Sequence, residues 1–359
     1  MTFISATNAL LRQRAARVIL VGSGRMGRIR AKAIYGNPRL EFGGIVDSNV
    51  GEAAELGEIY RAPHYGSLSD AIASSPSSID GIIISAPTPA HEPLITEAAI
   101  NGLSVFTEKP VDETAPKIRS LFSTTTKHGV ELCCGFQRRF DPSYLALYHE
   151  VNTAKPIGTP LTASIFFGDH PVPSREFLLR GGGNIISDCS AHDVDYIRWV
   201  LGDEVASVYA TGTSSDDELR EAGVIDNATM VMKFVRGTVV TLTLSRGAAY
   251  GYDQRCEIFG TTGLASVRNH PEHTGEIADA AGVHMPRWKH SFPQRFERAF
   301  ENELDAYADT MLMGKGWSVT EGDCVAVQRV CDAALESCES GEVVRLAEGK
   351  EGTEDEGFR

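Results

Sequence analysis

A carboxylate one helical turn before an imidazole, a lysine at the end of a strand and three spaced glycines ahead of a helix are the parts of this 359-residue chain that could do chemistry. Asp188 and His192 stand in a stretch, 186–201, that reads as a helix. At about 100° per residue, Asp188, His192 and Asp195 fall within about 60° of one another, and Ile186, Ser190, Val194, Ile197 and Leu201 fall on the opposite face. A carboxylate so placed orients an imidazole and raises its affinity for a proton, as a proton-transferring histidine requires. Ordinary solvated helices carry the same pair. Gly181-Gly-Gly183 precedes it and lets backbone approach a ligand. Glu108-Lys109-Pro110 follows the apolar run 104–107. A lysine there can bond a substrate hydroxyl and stabilise alkoxide charge. In isolation the tripeptide is also a common charged pair before a proline.

Gly22-Ser-Gly24-Arg25-Met26-Gly27 follows the apolar run 17–21 and opens a helical stretch over 25–35. In that setting G-x-G-x-x-G is a dinucleotide-binding loop. The first glycine makes a tight turn, the second admits a pyrophosphate to the backbone, and the third lets helix and strand pack closely. The helix N-terminus adds partial positive charge toward the phosphates. Asp47 ends the next strand, about 20 residues on, where a carboxylate accepts from a ribose diol and repels a 2′-phosphate. The expected cofactor is NAD rather than NADP. Its predicted contacts are Gly22, Gly24, Arg25, Met26, Gly27 and Asp47, with Thr88 and His91 beside the nicotinamide ribose and Glu108 at the same sheet edge. A plain strand-to-helix turn explains 85–91 almost as well.

The elements that must position these groups follow from the patterning. Strands over 17–21, 42–46, 79–86, 104–107 and 130–136 alternate with helices over 25–35, 91–101 and 114–128, which predicts parallel βαβ units. After about residue 140 the alternation stops. Strands over 161–168, 205–212, 228–235, 238–246, 254–260 and 264–268, turns at Arg236-Gly237 and 261–263, and helices over 186–201, 294–313 and 321–338 predict a mostly antiparallel sheet. The expected fold class is α/β, with an N-terminal Rossmann dinucleotide-binding domain over 17–138 and a C-terminal α+β domain with an open-faced sheet over 139–346. Val231, Phe234, Val239 and Leu244 offer more apolar surface than one helix layer covers. That predicts a homo-oligomer, dimer or tetramer, formed through the sheet. Residues 1–16 are expected to form a flexible extension, with a short transit peptide as the alternative, and 347–359 an acidic tail.

The net charge of −14 argues against nucleic-acid binding, which needs a basic surface, and against anionic membranes. No apolar run approaches the ~20 residues of a membrane helix. The seven cysteines include no Cys-x-x-Cys pair, which points to a reducing, cytoplasmic compartment. Cys324, Cys331 and Cys338 repeat along one helical face but stand about 10.5 Å apart, too far to share an ion, so no metal is expected.

Taken together, GSGRMG at 22–27, Glu108-Lys-Pro110, Gly135-Phe-Gln-Arg-Arg-Phe-Asp-Pro142, the glycine segment running to Asp188-x-x-x-His192, and Tyr250-Gly-Tyr-Asp-Gln-Arg255 resemble the Gfo/Idh/MocA family of NAD(P)-dependent oxidoreductases. The last two segments are most similar to its inositol-oxidising members. The resemblance implies Lys109, Asp188 and His192 as catalytic residues, Asp195 as a substrate contact, and Tyr250 and Tyr252 as further hydroxyl-binding groups. The implied reaction is NAD-dependent oxidation of a ring hydroxyl of a cyclic polyol, with myo-inositol to its 2-keto product first. The alternatives are another sugar or cyclitol dehydrogenase of the family, a redox-neutral glycoside-cleaving relative, or a sensor that binds NAD without turnover. The chain departs from the family at Asp169-His170-Pro171, where His170 stands in place of a substrate-binding amide or carboxylate. His170 is therefore expected to influence which polyol is preferred.

Overall fold

The computed structural model describes residues 14–75, 78–180 and 184–346. The chain divides into two compact units. The first takes the residues up to Pro142 together with Phe296–Ala326, and the second takes Ser143–Arg295 and the residues from Val327 onward. The expected division near 138 falls at 142, and 296–326, expected in the second domain, packs with the first. The extension up to residue 13 and the tail 347–359 lie outside the described residues. Arg14, assigned to that extension, donates from both terminal nitrogens to Asp80 at 2.6 Å.

In the first unit, β1 (Ala16–Val21), β2 (Leu40–Val46), β3 (His64–Tyr65), β4 (Gly81–Ile84), β5 (Ser104–Glu108) and β6 (Leu132–Gly135) form one sheet in the order β3-β2-β1-β4-β5-β6. Every pairing is parallel. This is the doubly wound dinucleotide-binding order. Val18, Ile19, Leu20, Ile82, Ile83, Ile84, Val105 and Phe106 are fully buried. Parallel strands covered on both faces read as such unbroken apolar runs. Helices Arg25–Gly36, Val50–Tyr60, His91–Ile100 and Ala115–Lys127 form crossovers. Val50–Tyr60, Leu68–Ser74 and β3 were not legible in the sequence. Gly51 and Gly57 weaken the helical signal of the first, and two residues are too few to announce a strand.

The returning segment is stitched into this sheet by polar contacts. The Tyr307 hydroxyl lies 2.7 Å from the Ser104 carbonyl oxygen and 3.0 Å from that of Ile82. Trp317 Nε1 donates to the Cys134 carbonyl at 2.9 Å. Thr320 and Asp323 cap helix Glu321–Ser340 reciprocally, Thr320 N–H to Asp323 and Asp323 N–H to Thr320 Oγ1. Arg139, nearly fully buried, reaches Asp323 at 3.1 Å and donates to the Ser318 carbonyl at 2.8 Å.

The second unit is built on a sheet of seven strands: β7 (Pro160–Gly168), β8 (Val205–Thr213), β9 (Asn227–Phe234), β10 (Val239–Ser245), β11 (Asp253–Gly260), β12 (Leu264–Val267) and, after the small hairpin β13 (Ile277–Asp279) and β14 (Gly282–His284), β15 (Val344–Arg345). The order is β12-β11-β7-β10-β9-β8-β15. Only β7 and β10 pair in parallel. Burial alternates strictly along β9 and β10. The alternation corrects the expected outer face: Phe234 and Leu244 point inward and are 1% exposed, whereas Val231 is 37% exposed. Leu161, Tyr209, Phe259 and Leu264 are exposed on neighbouring strands. Among the described residues no helix is long and apolar enough to cross a membrane.

The Arg139–Asp323 pair sets a pH-dependent stability. Burial alone raises the Asp323 carboxyl, but the Arg139 guanidinium and the Thr320 N–H outweigh it and hold the group below its ordinary value. A depressed folded value stabilises above the unfolded value, near ~3.9, and the benefit is lost as pH falls through the folded one. Asp323→Asn is expected to cost about 1.5–3 kcal/mol at neutral pH, the usual worth of hydrogen bonds to a charged group. Urea midpoints taken from neutral to acid pH should converge with the wild type. A constant gap across that range contradicts the assignment.

Candidate active site

In the first unit, parallel pairing sets Val21 beside Val46 and Ile84, Ile84 beside Thr107, and Thr107 beside Cys134. Gly22, Asp47, Ser85 to Thr88 and Lys109 therefore leave the sheet along one edge. Gly22 has φ +100°, and a Cβ there would stand 2.6 Å from the Ser85 carbonyl oxygen. A Cβ on Gly27 would stand 1.9 Å from the Gly22 carbonyl oxygen, so the helix closes directly onto the turn. Nothing lies within 4 Å of the Cβ position of Gly24. Gly24, at the N-cap, offers no side-chain hydrogen bond to the helix it opens, and a helix N-terminus favours an anion. Arg25 is exposed and Met26 half-buried at that opening.

Asp47, half-buried, is fixed by two backbone donors: Ser23 N–H to Oδ2 at 2.7 Å and Asn49 N–H to Oδ1 at 2.9 Å. The first bond ties the carboxylate to the glycine loop itself. Each oxygen keeps a second lone pair for a ribose hydroxyl. An open backbone cradle, an uncapped helix end and a carboxylate held at the next strand end fit a dinucleotide with a free 2′-hydroxyl.

Two of the expected cofactor contacts have other partners. Glu108 turns its carboxylate to Arg30, whose Nε donates at 2.6 Å; Arg30 Nη2 donates at 2.6 Å to Glu303. His91 is 1% exposed. Its Nε2 lies 3.0 Å from the Ala86 carbonyl oxygen and its Nδ1 3.0 Å from that of Pro110. Thr88 is half-buried in the turn before it. Lys109 is half-buried where the chain leaves β5. Arg30 and Glu303 were not singled out in the sequence. The available signal was an arginine among Gly27, Ala31 and Ile34 on the buried side of its helix.

In the second unit, the expected helix over 186–201 is an α-helix only from Ser190 to Leu201; Ile185–Cys189 is wound wider, as a π turn. That turn changes the angular position of Asp188, while His192 and Asp195 share the regular helix that follows. Asp188 keeps a side chain 43% exposed and His192 is half-buried, while Asp195 is fully buried. Asp193, also fully buried, accepts from Gln254 Nε2 at 2.8 Å. Tyr252, expected to bind hydroxyls, is 3% exposed and packs edge-on against Phe167 at 5.8 Å. Tyr250 is 50% exposed and donates to Asp253 at 2.9 Å. The glycines 181–183 lie outside the described residues.

Asp188 is held from two directions. Its N–H donates to the Asn184 carbonyl at 2.8 Å, and Arg246 Nη2 donates to its Oδ2 at 2.9 Å. Arg246, buried at the end of β10, also stands 3.6 Å from Asp169 at the end of β7. Burial alone lowers the Arg246 guanidinium, but Cys189, Asp188 and Asp169 outweigh it and raise it above its ordinary value. The sequence reading missed Arg246; a basic residue closing an otherwise apolar strand just ahead of Tyr250 was the signal. His170 follows directly, with Nδ1–H donating to the Ala248 carbonyl at 3.0 Å and His290 edge-on at 5.0 Å. That bond assigns the proton to Nδ1 and leaves Nε2 as the ring's acceptor. Among the described residues no cluster of three or more His, Cys, Asp or Glu side chains could hold a metal ion.

The sequence matches the description "oxidoreductase family, NAD-binding Rossmann fold" over residues 16–136 and "GFO/IDH/MocA C-terminal domain" over 148–266. The chain belongs to the Gfo/Idh/MocA oxidoreductases. It is 30% identical over 329 residues to an inositol 2-dehydrogenase of Rhizobium meliloti, covering 91% of this chain and 98% of that one. It is 32% identical over 337 residues to a scyllo-inositol 2-dehydrogenase (NAD(+)) of Bacillus subtilis, covering 92% and 96%. A crystal structure of scyllo-inositol dehydrogenase from Lactobacillus casei, with bound NAD(H) and scyllo-inositol, superposes with a TM-score of 0.87 at 25% identity, covering 93% of this chain and all of that one. As a Gfo/Idh/MocA member the chain is an NAD-dependent oxidoreductase, and the reading as a sensor without turnover is set aside.

Asp47 is expected to carry the preference for NAD. Asp47→Asn should weaken NAD by about 1.5–3 kcal/mol and narrow the gap to NADP, as lost hydrogen bonds to a charged group predict. Fluorescence titration with both nucleotides measures this, and a thermal midpoint reports the separate loss of the Ser23 contact. Unchanged discrimination in Asp47→Asn would leave Asp47 a role in the loop alone.

Proposed function

We propose that this oxidoreductase oxidises a ring hydroxyl of a neutral cyclic polyol, with myo-inositol or a close stereoisomer first among its substrates. The observation that carries the reading is the two-sided hold on Asp188 four residues before His192. With its backbone N–H held by the Asn184 carbonyl and its carboxylate by Arg246, Asp188 has a fixed place from which to orient an imidazole. NAD, held by Gly22–Gly27 and Asp47, would supply the hydride acceptor for the carbon that carries the hydroxyl. His192 takes the hydroxyl proton as general base, Asp188 supports the imidazolium that forms, and Lys109 stabilises charge on the oxygen. With Asp195 and Tyr252 buried, the remaining hydroxyls fall to His170, as an acceptor through Nε2, and to Tyr250. Asp169 and Asp188 outweigh the single charge of Arg246, which disfavours an anionic substrate. The similarity to inositol dehydrogenases supports the same class.

The quaternary reading follows from the outer face of the second sheet. Val231, Phe259, Leu161 and Leu264 stand exposed on adjoining strands, and a second copy of the chain would cover them as a dimer or tetramer. Seven cysteines with no Cys-x-x-Cys spacing suit a cytoplasmic compartment.

The deciding assay is NADH formation across neutral cyclitols, aldoses and 2-hydroxy acids. Cyclitols should lead, with little turnover of lactate or malate; a hydroxy acid in first place would sink the polyol reading. His192→Ala is expected to lower kcat about 10²–10⁴-fold, the usual contribution of a general base, with NAD binding retained. Near-normal turnover would remove His192 from the mechanism. His170→Asn should reorder the stereoisomers without abolishing turnover, and an unchanged ranking would take His170 out of the specificity argument.

A further inference from the structure

We propose that Glu108 and His91 are positioning residues that grip Lys109 from either side and tie it to the cofactor loop. The inference rests on the role given to Lys109 above. Lysine carries its ammonium on a flexible four-carbon stem, so a firm hold on the backbone beneath it narrows the space the ammonium can reach. Here the residues immediately before and after Lys109 are each fastened to a different buried group.

On the near side, the Glu108 carboxylate accepts from Arg30 Nε at 2.6 Å. Arg30 has no exposed surface. Its guanidinium lies 4.6 Å from the Phe106 ring centre and 5.0 Å from that of Phe300, and bonds Glu303 at 2.6 Å. Two rings and a second carboxylate leave that guanidinium a single placement, and Glu108 inherits it. On the far side, the Pro110 carbonyl oxygen is 3.0 Å from His91 Nδ1. The opposite ring nitrogen is 3.0 Å from the Ala86 carbonyl oxygen, and the Thr107 hydroxyl lies 3.2 Å from Nδ1.

Both grips end on the dinucleotide loop. Arg30 belongs to the helix that Gly22–Gly27 opens. Ala86 follows Ser85, whose carbonyl oxygen faces Gly22 closely enough to exclude any Cβ there. The strand end that carries the lysine and the loop that carries the cofactor are thus fixed to common anchors. A surface Glu-Lys pair would need neither the buried arginine nor the buried imidazole. A reacting group has that need, because a displacement of about 1 Å from productive geometry can cost on the order of 10²-fold in rate.

The test shortens the near grip without discharging it. Glu108→Asp keeps the carboxylate and removes one methylene, about 1.5 Å of reach. It is expected to lower kcat about 10–10²-fold with NAD affinity retained. Glu108→Gln, with length and an acceptor oxygen kept, should lose several-fold less. In a Lys109→Met background, Glu108→Asp should add little further loss, because a grip on a missing lysine has nothing to place. Equal losses in the Asp and Gln variants, a normal kcat in Glu108→Asp, or fully additive losses with Lys109→Met would each overturn the proposal. Should Glu108→Asp fail to fold, the far grip gives the same answer. His91→Asn sets an amide N–H at the place of Nδ1 and should retain more kcat than His91→Gln, which sets it at Nε2; the reverse order overturns the proposal. Lys109→Met alone separates the two levels: normal turnover there defeats the catalytic reading of Lys109, whereas crippled turnover beside a normal Glu108→Asp defeats only the grip.

Discussion

Parallel pairing is the constraint from which the first unit's chemistry follows. Six strands running the same way require a crossover after each, and every crossover begins at the same edge. Residues far apart in sequence, Gly22, Asp47, Ser85 and Lys109, are therefore delivered to one line without any of them having to attract another. The edge also gathers strand and helix ends, whose polarity can be turned toward a ligand. The apolar runs behind it are buried on both faces, so the edge cannot shift without moving the core.

The second unit solves a different problem. Its carboxylates must stay charged while partly withdrawn from water, and a buried charge persists only when answered by another. Arg246 answers Asp169 and Asp188 together. One residue thereby joins the ends of β7 and β10, the parallel pair in an otherwise antiparallel sheet, to the turn ahead of His192. The π turn has a matching effect. It widens the coil under Asp188, which is half in solvent, whereas Asp195, on the regular helix that follows, lies wholly inside.

Much of this was legible in the sequence. Apolar runs bounded by glycine gave the strands of both sheets to within one or two residues in most cases, and the glycine loop was readable because each of its glycines answers a separate steric demand. Gly22–Gly27 and Asp47 keep the arrangement their spacing implies. What escaped were interactions that have no local signature. Arg30 looks like any helical arginine until Glu108 and Glu303, distant in sequence, close on it. Glu108 and His91 carried the right location but the wrong task, because spacing tells where a side chain starts and not which way it turns. The burial of Asp195 and Tyr252 was not legible for a related reason: periodicity identifies a shared face, and only packing determines whether that face meets water.

The return of 296–326 to the first unit has a consequence for how the protein is made. A ribosome delivers the strands β1 to β6 well before Glu303, Tyr307 and Trp317 exist. Until they arrive, Arg30 lacks one of its two carboxylates, the carbonyls of Ile82 and Ser104 lack the Tyr307 hydroxyl they share, and that of Cys134 lacks the Trp317 indole. The nucleotide half can collapse early but reaches its final form only after the intervening unit has been synthesised. Its completion is thus postponed until 296–326 has been translated, and a fragment cut at the apparent boundary after Pro142 would lack part of its own interior.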